Sequence, residues 1–157
     1  MQKITTFLTF QEKGAEAVRL YTSLFKNSHI TNLTEADGKG PISAGALMHA
    51  EFTLDGQQFY AMDGGPSFTF GIGMSLMVKA DDQAEIDRLW LALSEGGKEM
   101  PCGWLEDKYG VAWQIVPPIL GTYLMDADPA KAERVTKAML GMHKIIIQDL
   151  QDAYEGK

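Results

Sequence analysis

Residues 46–63, ALMHAEFTLDGQQFYAMD, decide the fold. ALMHAEFTL (46–54) reads as a strand, and QQFYAMD (57–63) as its return. Asp55-Gly56 between them is the dipeptide that tight hairpin turns prefer, because both central residues need a positive φ. Moving toward the N-terminus, DGKGPISAG (37–45) is turn chemistry and HITNLTE (29–35) is a short strand. AEAVRLYTSLF (15–25) places Ala17, Leu20, Tyr21 and Leu24 on one helical face. ITTFLTF (4–10) is β-branched and aromatic, which suits a strand. The order is strand, helix, three strands.

Toward the C-terminus, the Gly-rich GGPSFTFGIG (64–73) reads as a connection, after which the order restarts. MSLMVKA (74–80) is a strand. Asp82 caps a helix and Glu85 follows three residues on, as in a capping box. Ile86, Leu89, Trp90 and Leu93 repeat the i, i+3, i+4, i+7 spacing, and Gly96-Gly97 ends the helix. KEMPCGW (98–104) reads as a short, irregular strand. VAWQIVP (111–117) is a strong strand closed by Pro117-Pro118. The repeat lies in element order, not in residues. The expected fold class is α+β, with two βαβββ modules (about 3–63 and 74–118) whose curved mixed sheets share a cleft. Asp128-Pro129 opens a helix carrying Ala132, Val135, Met139 and Met142. KIIIQDLQDAY (144–154) gives a last one. This C-terminal extension, about 128–155, is expected to cover the core or to reach a partner.

The 157 residues suit a single domain, with 45% hydrophobic and 22% charged residues. A net charge of −7, with no Lys/Arg run, argues against nucleic acid and against anionic membrane surfaces. One cysteine, Cys102, permits no internal disulfide. No stretch approaches the ~18 apolar residues of a membrane span, and MQKITTFLTF lacks a signal-peptide pattern. The expected location is the cytoplasm.

Strand alternation defines candidate site faces. In 46–54, Met48, Ala50, Phe52 and Leu54 form an apolar face, opposite His49, Glu51 and Thr53. In 74–80, Met74, Leu76 and Val78 oppose Ser75, Met77 and Lys79. In 111–117, Val111, Trp113 and Ile115 oppose Ala112, Gln114 and Val116. His49 and Glu51, at i and i+2, point the same way. They could share a proton as an acid/base pair, bind a metal, or form a solvated polar face. Tyr60 and Trp104 are candidates for gripping a flat ligand, with Trp104 in a loop-like segment at a pocket edge; Trp113 reads as core. Cys102 reads as a small buried hydrophobe. His29 and His143 read as surface residues. No P-loop, G-x-S-x-G or H-E-x-x-H is present.

PCGWLEDKYGVAWQIVP (101–117), together with HAEFTLDGQQFYAMDGG (49–65) and DDQAEIDRLW (81–90), resembles the PhnB-like branch of the glyoxalase/bleomycin-resistance superfamily, the vicinal oxygen chelate proteins. Many relatives carry the label 3-demethylubiquinone-9 3-methyltransferase domain. The resemblance implies paired βαβββ modules, a homodimer and, in metal-dependent members, four ligands from the first and last strands of the modules. Carried over, those positions fall on Thr6 (or Thr5), Tyr60, Ser75 and Gln114, of which Gln114 alone has a usual ligand side chain. The expectation is therefore a small-molecule ligand between the modules, contacted by Tyr60, Ser75, Trp104 and Gln114, with His49 and Glu51 as acid/base and no resident cofactor. Three alternatives stand beside it: a metal-dependent lyase or dioxygenase using His49 and Glu51, the methyltransferase of the family label, and a non-catalytic interaction protein whose tail methionines (Met125, Met139, Met142) meet a second chain.

Overall fold

The computed structural model describes residues 2–157 and divides into two compact units at Phe70/Gly71. In the first, β1 (Thr6–Phe10) leads into α1 (Gly14–Leu24), followed by β2 (His29–Glu35), β3 (Leu47–Leu54) and β4 (Gln57–Asp63). The sheet order is β1-β4-β3-β2; β1 runs parallel to β4 and the other pairs are antiparallel. Asp55 and Gly56 both take positive φ (45° and 80°), as the hairpin reading requires. Leu8, Phe10, Ala50, Phe52, Phe59 and Ala61 form the buried side, and α1 packs on β3 and β4.

The buried stripe of α1 is Gly14, Ala17, Val18 and Tyr21; the predicted Leu20 and Leu24 are only half-buried. Close approach at Gly14 turns the helix this way. A Cβ there would meet Asp63 Oδ1 at 2.6 Å and Leu47 Cδ2 at 2.9 Å. The Asp63 carboxylate accepts from both Gly14 N and Leu47 N, each at 2.8 Å, and so ties three elements together.

Met48 departs from the predicted apolar face and is 43% exposed, while Leu47 is buried. The cause is a register shift: Thr34 pairs with His49, but Glu35 pairs with Leu47. The extra residue in β3 is a bulge, which swaps the faces on either side of it.

The second unit repeats the order. β5 (Leu76–Lys79) precedes α2 (Gln83–Ser94), then β6 (Lys98–Glu99), β7 (Trp104–Glu106) and β8 (Ala112–Val116), in sheet order β5-β8-β7-β6 with β5 parallel to β8. Asp82 caps α2 by accepting from Glu85 N at 2.8 Å, and Glu85 accepts in return from Asp81 N at 2.8 Å. Ile86, Leu89, Trp90 and Leu93 are buried as predicted, and α2 packs on β7 and β8. β5 is shorter than predicted, and Met74, ahead of it, is 68% exposed.

Residues 98–104 are not one strand. Cys102 (φ 64°) and Gly103 (φ 80°) are both left-handed and reverse the chain between β6 and β7. Trp104 therefore starts a strand rather than lying in a loop, and Cys102 is a half-buried turn residue rather than a core one.

Beyond β8 come α3 (Pro118–Leu124), α4 (Pro129–Leu140) and α5 (Ile147–Glu155). α3 was not predicted: Pro118 occupies the first helical turn, so the proline pair that ends β8 also starts a helix. Asp128 caps α4 by accepting from Ala130 N at 2.9 Å. Leu120, Val135, Ile145 and Leu150 form a small core of their own, joined by Val116, Met139 and Met142. This extension is fastened to the second unit. Met142 O and His143 O accept from Cys102 N (2.8 Å) and Gly103 N (2.7 Å). The Gln83 amide donates to Ile145 O at 3.1 Å and accepts from Ile147 N at 2.8 Å. Two of the three tail methionines are thus used internally, and Met125 is 86% exposed. Among the described residues, no helix is long and apolar enough to cross a membrane.

Candidate functional site

In the first unit, the sheet face turned away from α1 carries one row in cross-strand register: Phe7, Tyr60, Glu51 and Asn32. The row follows from strand alternation, because Leu8, Ala61 and Ala50 point the other way into the core. The rings of Phe7 and Tyr60 lie 6.1 Å apart and 25° from parallel. His49 sits beside them, its ring 5.7 Å from Tyr60 and its Nε2 3.2 Å from Glu51 Oε1. The His49 and Glu51 side chains are 39% and 33% exposed. Gln58 Nε2 donates to the Tyr60 hydroxyl at 3.4 Å. The structure therefore brings His49, Glu51 and Tyr60 together. An imidazole and a carboxylate at this distance can pass one proton between them, and the rings supply an apolar platform.

In the second unit, Met77, Gln114 and Trp104 form the corresponding row, and Gln114 Nε2 donates to Ser75 Oγ at 2.8 Å. Ser75, Gln114 and Trp104 are each half-buried, and Met77 is 55% exposed. This cluster offers an amide, a hydroxyl and an indole edge, suited to hydrogen bonding rather than proton transfer.

One position corrects the sequence reading. Thr6 pairs with Phe59, on the side that faces α1. The residue in line with Tyr60 is Phe7, which is 49% exposed. Alternation within ITTFLTF could have exposed the difference, since Phe7 is out of phase with Leu8 and Phe10. Thr5 shares the parity of Phe7 but precedes the strand. The positions to which the resemblance carries metal ligands are thus, with Phe7 in place of Thr6, a phenyl ring, a phenol, a hydroxyl and an amide. Divalent ions prefer imidazole, carboxylate or thiolate donors, so these side chains do not fit one. Among the described residues no three His, Cys, Asp or Glu side chains gather in a group that could hold a metal ion. His49 and Glu51 lack a third ligand there. His29 and His143 are exposed.

The family described as 3-demethylubiquinone-9 3-methyltransferase matches residues 2–116. A putative 3-demethylubiquinone-9 3-methyltransferase, PhnB protein, from Bacillus cereus is 43% identical; the match covers 74% of this chain and 99% of that one, with a TM-score of 0.69. Protein PA1353 from Pseudomonas aeruginosa is 26% identical over 74% of this chain and 98% of its own, with a TM-score of 0.59. A possible glyoxalase from Bacillus cereus, 14% identical over 74% of this chain and 98% of its own, shares the fold at a TM-score of 0.50. No curated protein matches. The repeated β-α-β-β-β order, the two four-stranded sheets and these likenesses agree: the chain has the fold of the possible glyoxalase and belongs to the PhnB-like 3-demethylubiquinone-9 3-methyltransferase family, with a helical extension, residues 117–157, beyond the family match.

Proposed function

We propose that this protein binds a small organic molecule without the help of a divalent metal, on the sheet face of the first unit that carries His49, Glu51 and Tyr60, with the Ser75, Trp104 and Gln114 face of the second unit as a ligand-binding face of its own. The observation that carries the reading is the row Phe7–Tyr60–Glu51 with His49 at its side. It is an aromatic platform beside an imidazole–carboxylate pair, left partly exposed. His49 and Glu51 act as the acid/base pair, Tyr60 and Trp104 grip apolar surface, and Ser75 and Gln114 orient polar groups.

Thermal stabilisation across a broad metabolite panel tests the reading. A ligand present at a hundred times its Kd stabilises the fold by about 2.7 kcal/mol. That corresponds to a rise in Tm of several degrees for a chain of this size. The expected result is at least one such ligand in chelator-treated protein, and no rise in Tm on adding Zn²⁺, Ni²⁺ or Fe²⁺ alone. A panel with no hit overturns the reading, and a hit that depends on added metal replaces it with the lyase or dioxygenase alternative. Methyl transfer from a cofactor held in a Gly-rich strand-to-helix turn has little to stand on, because those turns here read Gln11-Glu12-Lys13, Ala80-Asp81-Asp82 and Pro117. The protein is further expected to be a homodimer, which light scattering reads directly.

A further inference from the structure

The four strands of the first sheet read TFLTF, HITNLTE, LMHAEFTL and QQFYAMD, and none contains a lysine or an arginine. Their acidic residues are Glu35, Glu51 and Asp63. Glu35 is engaged by Arg19 at 2.7 Å, and Asp63 is engaged by two backbone N–H groups. Glu51 faces the partly exposed side and has His49 Nε2 3.2 Å from its Oε1. The second sheet differs, carrying Lys79 and Lys98 on its strands.

We propose that the ligand of the first sheet's exposed face is an organic cation, an amine or quaternary ammonium on an apolar body. The proposal rests on the small-molecule reading above and narrows its ligand class. A carboxylate beside two aromatic rings attracts such a ligand twice: by ion pairing with Glu51, and through the negative ring faces of Phe7 and Tyr60, which draw a cation within about 6 Å of a centroid. The centroids of those rings lie 6.1 Å apart, so a cation held at one ring is close to the other. An anionic ligand finds the reverse. Glu51 repels it, and no guanidinium or ammonium on these strands receives it.

The test uses the full chain and matched probes: benzyltrimethylammonium, choline, the neutral carbon isostere of choline (dimethylbutanol) and benzoate, each titrated by calorimetry. The expected result is that the two cations bind at least tenfold more tightly than the neutral and anionic probes, with the preference weakening as salt rises. Glu51→Gln abolishes the preference, Glu51→Asp retains part of it, and Phe7→Leu reduces it. Glu12→Gln, an exposed charge change off the sheet, leaves it intact. Melting curves of each variant exclude unfolding as the cause. Equal or tighter binding of the neutral or anionic probe overturns the cation proposal and leaves small-molecule binding standing. No binding of any probe, with a neutral or anionic hit from the metabolite panel, does the same. Silence from both probes and panel overturns both readings.

Discussion

Among the described residues, Asp107 is the one charged residue with a buried side chain, 3% exposed. Its Oδ1 accepts from Tyr109 N at 2.9 Å and Val111 N at 3.0 Å, and its Oδ2 accepts from Trp113 Nε1 at 2.8 Å. One carboxylate thus closes the turn before β8 and fixes the largest fully buried side chain, Trp113. Replacing it strands donors that water cannot reach, and each hydrogen bond to a charged group contributes about 1.5–3 kcal/mol. Asp107→Ala is expected to cost about 3 kcal/mol or more, read as a lower urea midpoint at unchanged slope; Asp107→Asn, which keeps an acceptor, costs less. Trp113 reads as core from strand alternation alone, and it is core. The role of Asp107 was not legible, because nothing in DKYG says which way a carboxylate turns. The pairing of His49 with Glu51 was legible from their i, i+2 spacing. The alignment of Phe7 with Tyr60 was not, because it depends on the register between strands far apart in the chain.

Elements show the same division between local and non-local information. The hairpin at Asp55-Gly56, the cap at Asp82 and the proline-led helix at Asp128 are local chemistry, and each is read from neighbouring residues. The bulge at Leu47–Met48 and the reversal at Cys102-Gly103 come from tertiary pairing, and the sequence reading missed both. The reversal is demanding. A Cβ on Gly103 would meet Ile115 O at 2.8 Å and Ile145 Cγ1 at 3.0 Å, in a backbone already at positive φ. Gly103→Ala is expected to destabilise by about 1–3 kcal/mol, and to increase hydrogen exchange at Cys102 and Gly103, whose N–H groups hold the extension. The extension has a pH window of its own. The hydrogen bond from the Tyr154 hydroxyl, followed by that from Asp128 N, lowers the Asp126 pKa; the same Tyr154–Asp126 bond raises that of the phenol. A lowered carboxylate contributes above its unfolded pKa and loses that contribution as pH falls through its folded one. A raised phenol contributes below its unfolded pKa and loses that contribution as pH rises toward its folded one. Tyr154→Phe is therefore expected to lower the melting temperature most between the two titrations and to flatten its pH dependence at the acid and alkaline ends, where the wild type has already lost this contribution.

At the scale of the whole molecule, the family match ends at residue 116 while the chain continues through three more helices. Truncation after Pro117 removes Ile145, Leu150 and Val135, which cover Val116, and removes the carbonyls that accept from Cys102 and Gly103. The expected outcome is a lower melting temperature with increased binding of a hydrophobic dye, rather than the unchanged stability of a passive tail. In both units the first strand pairs in parallel with the last, Thr6 with Phe59 and Leu76 with Trp113. During synthesis, then, the strand that leaves the ribosome first in each unit is the one that waits longest for a neighbour. The β3–β4 hairpin can zip as soon as it emerges, whereas β1 must be held unpaired, with its backbone groups open, until β4 offers an edge. An opening strand that idles in this way is the natural point for exchange between nascent copies.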